Sequence, residues 1–231
     1  MSTTLAVLTC ARKRDYLSRT LASLGDVGAC DRRLVWCDGP VTIPDAAHGW
    51  EVGGSPMRQG PPNTFAFWDL LAAVTGDLLF IEDDVLASPG AVAYAVRMGC
   101  QDGLAYVSWF DPVCRRTFRL PRVRYFDAGE IIPCQARTIP ARTISRLLEF
   151  RSHPDWAPGT GSDACVATTL TGQMAAVHVP SLFQHVGNIS EVDADGALTG
   201  DRLSESWLGE SYDVARGFKH IQPSDLWGDT Q

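Results

Sequence analysis

The chain has 231 residues, 45% hydrophobic and 20% charged, enough to bury a full core without disulfide or metal staples. Seven cysteines (Cys10, Cys30, Cys37, Cys100, Cys114, Cys134, Cys165) stand singly, without a Cys-x-x-Cys pair or the spacing of a structural zinc site, so a reducing cytoplasm is the compartment expected. The net charge of −7 is uneven: residues 115–151 hold nine arginines against Asp127, Glu130 and Glu149, a local +6 that leaves −13 elsewhere. No run reaches the roughly 18 apolar residues of a membrane helix, and the first residues lead straight into a strand-like segment, so neither spanning nor secretion is expected.

Residues 5–10 are an apolar run of strand length. Asp15 is placed to cap a helix whose Tyr16, Leu17, Thr20, Leu21 and Leu24 share one face, with Gly25 closing it. Residues 33–37 make a second strand, ended by Asp38, Gly39 and Pro40; strand, helix, strand is the opening of a parallel sheet. The glycine- and proline-rich stretch 39–61 predicts a long loop. Asn63 is expected to cap a helix through Phe67, Trp68, Leu70, Leu71 and Val74 that ends at Gly76. Residues 77–81 are apolar enough for a central buried strand, and they run directly into Glu82-Asp83-Asp84.

Ser88 and Pro89 suit the N-cap and first position of the next helix, closed by Gly99. Strands are expected over 104–109 and 131–136. Pro140 opens a helix that turns Ile144, Leu147 and Leu148 inward while Arg142 and Arg146, four apart, share another face. A loop over 153–162 leads to a short helix from Asp163 through Leu170, and 177–180 is a last strand. The segment 191–231, with nine acids against three bases, is expected to be partly irregular. These elements predict one α/β domain over 1–190, a mixed, mainly parallel sheet with helices on both faces, and a C-terminal tail over 191–231 packing on or near the active site.

Three consecutive carboxylates after a buried strand repel one another unless cations or hydrogen-bond donors offset the repulsion. Open α/β sheets bind ligands at the carboxyl ends of their strands. Carboxylates there can hold Mg²⁺ or Mn²⁺, which bridges phosphate oxygens; a solvated acidic turn is the alternative. His185 is either a packed histidine or a ligand, and Gly187 beside it would let the backbone approach a phosphate or metal. Asp163 either caps the helix it opens or serves as a carboxylate in the crevice, and Asp38 is either a turn residue or a nucleotide contact.

Thr9-Cys10-Ala11-Arg12 followed by the helix 16–24, then the strand 78–81 with Glu82-Asp83-Asp84-Val85, then Pro180-Ser-Leu-Phe-Gln-His185-Val-Gly187, together resemble the GT-A glycosyltransferases. The flavour is closest to the N-acetylglucosaminyltransferases that act on N-glycans, and the resemblance spans residues 5–190. It implies a GT-A (Rossmann-like) fold, a nucleotide-sugar donor, above all a UDP-sugar, a Mn²⁺ or Mg²⁺ cofactor, and inverting transfer of a hexosyl group to a hydroxyl. By the same resemblance Thr9, Cys10, Arg12 and Asp38 would hold the nucleoside. Glu82 and Asp83 would face the ribose and the metal shell, Asp84 would bind the metal as in a DXD-like motif, and His185 would complete the metal or pyrophosphate site. Asp163 would be the general base. The similar enzymes carry a membrane anchor and act on secretory glycans, so their donor chemistry is expected to carry over without their acceptor.

The arginine-rich segment, interleaved with Phe118, Tyr125 and Phe126, suits a polyanion. Arg142, Arg146 and Trp109 are expected to bind the acceptor. DNA carrying a hydroxymethylated pyrimidine, as in viral enzymes that glycosylate their own genomes, is expected ahead of a glycan or other cytoplasmic acceptor. Two rivals remain. A nucleotidyltransferase would want a glycine in its phosphate loop, which Ala11-Arg12-Lys13-Arg14 lacks. A non-enzymatic nucleic-acid or glycan-binding module would leave the three carboxylates without a purpose, since acids repel phosphates.

Overall fold

A computed structural model of the chain describes residues 2–11, 15–56, 64–111, 120–130, 135–151, 161–186 and 204–227. Strand β1 (Thr3–Cys10) is buried at every position but its first, as a strand covered on both faces must be. It pairs in parallel with β2 (Arg32–Asp38) on one side and β4 (Asp77–Glu82) on the other, and β3 (Glu51–Ser55) adds in parallel to β2. Beyond β4 lies β8 (Ala136–Ile139), antiparallel to it, then β6 (Val107–Ser108), then β9 (Met174–Val179) parallel to β6, and β7 (Arg122–Asp127) antiparallel to β9. The order is β3-β2-β1-β4-β8-β6-β9-β7, with β8 and β7 alone reversed. A separate antiparallel ribbon joins β5 (Val85–Ala87) to β10 (Phe183–His185).

Alternation along β1 sends Leu5 and Val7 into one core and Ala6 and Leu8 into the other. The first core is roofed by α1 (Tyr16–Leu24), α3 (Ala91–Met98), α6 (Val214–Gly217) and α7 (Pro223–Trp227). The second is roofed by α2 (Thr64–Ala73), α4 (Ala141–Phe150) and α5 (Gly161–Leu170). No helix among the described residues is long and apolar enough to cross a membrane. Burial raises the free thiols of Cys30, to about 11, and Cys100, to about 12, so both stay protonated at neutral pH.

Several elements match the expectations and several do not. Asp15 caps α1, its carboxylate accepting from the Ser18 amide at 3.0 Å, and hydrogen bonding from the Ser18 side chain first, then from that amide, lowers its pKa. Strand β3 lies inside the stretch expected to be a loop: parallel pairing with β2 satisfies its backbone, and a Cβ at Gly53 would stand 2.5 Å from the Trp36 ring. Helix α3 starts at Ala91, not at Ser88–Pro89, because the residue between them, Gly90, takes a left-handed conformation that no right-handed helix continues through. Its N-cap is Gly90 at φ 76, where a side chain would also strike Ala215 of α6. Only Val107–Ser108 of the strand expected over 104–109 joins the ladder. Most of the strand expected over 131–136 and the cap at Asn63 lie outside the described residues. The tail, expected to be partly irregular, carries α6 and α7 and delivers Val214, Phe218, Leu226 and Trp227 to the first core.

A buried aromatic group ties α3 to β9. His178 donates from Nδ1 to the Pro180 carbonyl at 2.7 Å and faces the Tyr94 hydroxyl with Nε2 at 3.2 Å. Trp109 packs against both rings. Burial pushes the His178 pKa down to about 4, against about 6.5 for an exposed histidine. Between those values the unfolded chain binds the extra proton, so stability is full above pH 6.5 and declines as pH falls toward 4. The expected loss is on the order of 3 kcal/mol. Urea denaturation at neutral and acid pH measures it, and His178→Gln should flatten the dependence even where it lowers stability overall.

Candidate functional site

Strands β1, β2 and β4 end on one edge of the sheet, where a cleft of about 510 Å³ is lined by Thr9, Cys10, Asp15, Pro40, Val41 and Asp83, among others. Asp83 is 1% exposed, and its carboxylate accepts from the Thr9 hydroxyl at 2.6 Å. Its carbonyl accepts from the Thr20 hydroxyl, also at 2.6 Å. Thr20 and Ser23 in turn accept from the amides of Val85 and Ala87, so α1 is pinned to the ribbon that follows the acids. Burial raises the Cys37 thiol pKa, and the Asp83 charge raises it further.

The three acids point apart. Leu78 and Phe80 belong to the second core and Leu79 and Ile81 to the first, so alternation turns Glu82 toward the α2/α4/α5 side, while Asp83 meets Thr9 on the other. Asp84 follows the strand, with Oδ2 3.2 Å from Nε2 of His185. Its carbonyl accepts from the Val186 amide at 2.8 Å, and His185 is paired with Val85 in the ribbon. Repulsion among consecutive carboxylates is thereby divided among separate partners.

Asp84 and His185 suit a divalent cation. Two ligands at right angles on an ion with bonds of 2.0–2.1 Å stand about 3 Å apart, close to the spacing observed. A carboxylate oxygen suits Mg²⁺ or Mn²⁺ and an imidazole nitrogen suits the later divalent transition metals, so the pair fits a divalent cation without singling one out. Among the described residues the buried Nδ1 of His185 has no hydrogen-bond partner, which leaves the ring uncommitted on that side. Among the described residues no group of three His, Cys, Asp or Glu side chains is arranged to hold an ion.

Asp163 stands in the first turn of α5. Strand β9, which follows α5, runs in the direction of β4, so α5 begins at the crevice end of the sheet and brings Asp163 there, on the α2/α4 side. Asp38 is half-buried at the end of β2, opposite Cys10. Arg12 lies outside the described residues. Residues 204–208 of the tail lie against the His185 strand: the Ser204 amide donates to the Gln184 side chain at 3.0 Å, and the Ser181 amide to the Ser206 hydroxyl at 3.1 Å.

The residues expected at the acceptor are elsewhere. Because β8 is reversed, α4 starts at the opposite end of the sheet, where the Ala141 amide is 2.9 Å from the carboxylate of Asp77, the first residue of β4. Arg142 there donates to the carbonyls of Gln101 and Leu104. One turn on, Arg146 faces the side-chain amide of Gln173, Nε 3.1 Å from its oxygen in the orientation that satisfies both groups. Trp109 is wholly buried and donates its indole N–H to the Thr138 hydroxyl at 2.8 Å, so it offers no face to a ligand. The arginines near the crevice end are others: Arg137, buried with its guanidinium 4.3 Å over the Tyr106 ring, and Arg124, 3.3 Å from the buried Asp111. Nothing local in the sequence distinguishes these from their neighbours; only strand direction does. Gln135, beside Glu82 at the start of β8, was also not anticipated.

No protein-family model matches the sequence, and no curated protein sequence matches it. Solved structures match by shape. A crystal structure of S. aureus TarS 1-349 aligns with a TM-score of 0.52 at 14% identity, covering 77% of this chain and 58% of that one. A structure of glucosyl-3-phosphoglycerate synthase from Mycobacterium tuberculosis in complex with Mn²⁺, uridine-diphosphate and glucosyl-3-phosphoglycerate aligns with a TM-score of 0.47 at 16% identity, covering 71% and 62%. The chain thus spans less than two thirds of either. Strand order, the two helical layers and the TarS likeness together show an α/β chain of GT-A fold, with a mixed, mainly parallel sheet and helices on both faces.

Proposed function

We propose that the chain is a metal-dependent glycosyltransferase that moves a sugar from a nucleotide-sugar donor, preferably a UDP-sugar, to an acceptor hydroxyl. The observation that carries this reading is the Asp84–His185 pair, 3.2 Å apart, beside the cleft lined by Thr9, Cys10 and Asp83 at the carboxyl ends of the central strands. The cleft would take the nucleoside, and Asp84 and His185 would hold Mn²⁺ or Mg²⁺. A bound ion there supplies charge neutralisation for the departing diphosphate. Asp163, at the same end of the sheet, is the proposed general base: it takes the proton of the acceptor hydroxyl as that oxygen attacks with inversion.

The DNA acceptor expected from the arginine-rich segment loses its support, because Arg142 and Arg146 stand at the far end of the sheet and Trp109 lies in the core. The reading carried forward is a hydroxyl acceptor without that restriction. Product analysis tests the reaction class. Release of UDP from UDP-glucose, UDP-galactose or UDP-N-acetylglucosamine in the presence of Mn²⁺ supports it. Pyrophosphate release from a nucleoside triphosphate, with no diphosphate from any UDP-sugar, would make the chain a nucleotidyltransferase instead.

A further inference from the structure

Gln135 occupies a place that core packing does not explain. Its carbonyl accepts from the Glu82 amide at 3.0 Å, which extends the β4–β8 register by one and sets Gln135 opposite Glu82. Residues so paired have Cα atoms about 4.5–5.5 Å apart. Arg137, two positions on, sits over Tyr106 and pairs with Phe80 on the α2/α4/α5 side, so alternation turns Gln135 to that side as well. Glu82 faces the same way.

The Gln135 side chain is 1% exposed, and its buried Oε1 has no hydrogen-bond partner among the described residues. A methionine or leucine would fill the same space with no unpaired carbonyl, and sealing the oxygen from bulk water removes the solvent partner it would otherwise have. An amide oxygen in that state is ready to accept from a group that the described residues do not supply. A phosphate does not fit, because it has no hydrogen to give at neutral pH beyond a fraction of its protons. A sugar hydroxyl does. A donor whose diphosphate lies at Asp84 and His185 places its sugar next to that diphosphate, and Gln135 is the paired neighbour of Glu82, two residues before Asp84.

We propose that the Gln135 amide oxygen accepts a hydrogen bond from a hydroxyl of the donor's sugar and so helps to set which sugar is used. This rests on the donor-site reading above and deepens it. A site built to bond a hydroxyl rejects an analogue that lacks or misplaces it far better than an apolar pocket can.

The test is calorimetric titration of the full chain in Mn²⁺ with UDP, UDP-glucose, UDP-galactose and UDP-N-acetylglucosamine, repeated on Gln135→Met. For at least one of these sugars the variant should raise the ratio of the UDP-sugar to the UDP dissociation constant by roughly 10- to 100-fold, the range of one lost buried hydrogen bond. UDP affinity itself should stay within about threefold, since the nucleoside and diphosphate contacts are untouched. Thermal unfolding supplies a second readout: the ligand-free variant should be at least as stable as the wild type, whereas a structural role would make it less so. Unchanged ratios for every sugar, or a destabilised variant, overturns this inference and leaves the donor site standing. No Mn²⁺-dependent binding of UDP by the wild type overturns the donor site, and this inference with it.

Discussion

Asp84→Ala is expected to lower metal-dependent transfer or donor hydrolysis by roughly a thousandfold or more, the scale of several kcal/mol of charge stabilisation. Among the described residues Asp84 contributes the one carboxylate oxygen beside His185, and without it the imidazole alone would face the proposed ion. The fold should survive. The backbone bond from Val186 to the Asp84 carbonyl does not depend on the side chain, and removing one of three consecutive acids relieves repulsion. Asp83 differs in kind, because its carboxylate is the acceptor for the buried Thr9 hydroxyl and its carbonyl holds Thr20. Asp83→Ala should therefore cost about 1–3 kcal/mol of stability by stranding that hydroxyl. Rates across a Mn²⁺ series, beside urea denaturation of each variant, separate the two roles. Wild-type rates in Asp84→Ala would remove Asp84 from the metal site.

Asp163→Asn carries the second large effect. Turnover should fall by roughly a hundredfold or more while donor affinity stays near its wild-type value, because a general base is engaged only as the acceptor attacks. Asparagine keeps the shape of the side chain in the first turn of α5 and gives up only its charge there, a change of about 0.3–1 kcal/mol in helix stability. The measurement is turnover and UDP-sugar binding on the same preparations. If binding declines in step with turnover, Asp163 is a donor-site or structural residue. Product anomeric configuration adds an independent check, since retention would exclude direct displacement.

The parts of this architecture that were legible in sequence are those with a local signal. Asp15 reads as a cap because the residues after it repeat at helical spacing, and residues 77–81 read as a central strand because both faces are apolar. The acids after that strand point to a site for the same reason. Strand β3 escaped notice because its glycines resemble loop punctuation, while Gly53 leaves room for the Trp36 ring and Gly54 lies close against Cys37. Strand β7 was hidden by its arginines: it ends the order among the described strands, with outward positions that need no apolar residue.

The misplacement of Arg142 and Arg146 has one cause. Sequence order puts them between the acids and Asp163, but the reversed β8 carries the chain to the far end of the sheet before α4 begins. Periodicity does not report strand direction. Gln135 left no sequence trace either, since an unpaired amide becomes visible only when its burial and its neighbours are known. Asp163 is the converse case. Its helix starts at the carboxyl end of the central strands because β9, the strand after it, runs with β4.

If Asp84 and His185 hold a divalent ion that a nucleoside diphosphate completes, unfolding the chain in UDP, with Mn²⁺ or with chelator, will show the dependence of one on the other. Saturating UDP at about 100 times its dissociation constant should add about 2.7 kcal/mol of stability when Mn²⁺ is present. Most of that gain should vanish with chelator and in His185→Ala. Equal stabilisation by UDP with and without the metal, or none in either condition, would contradict the account.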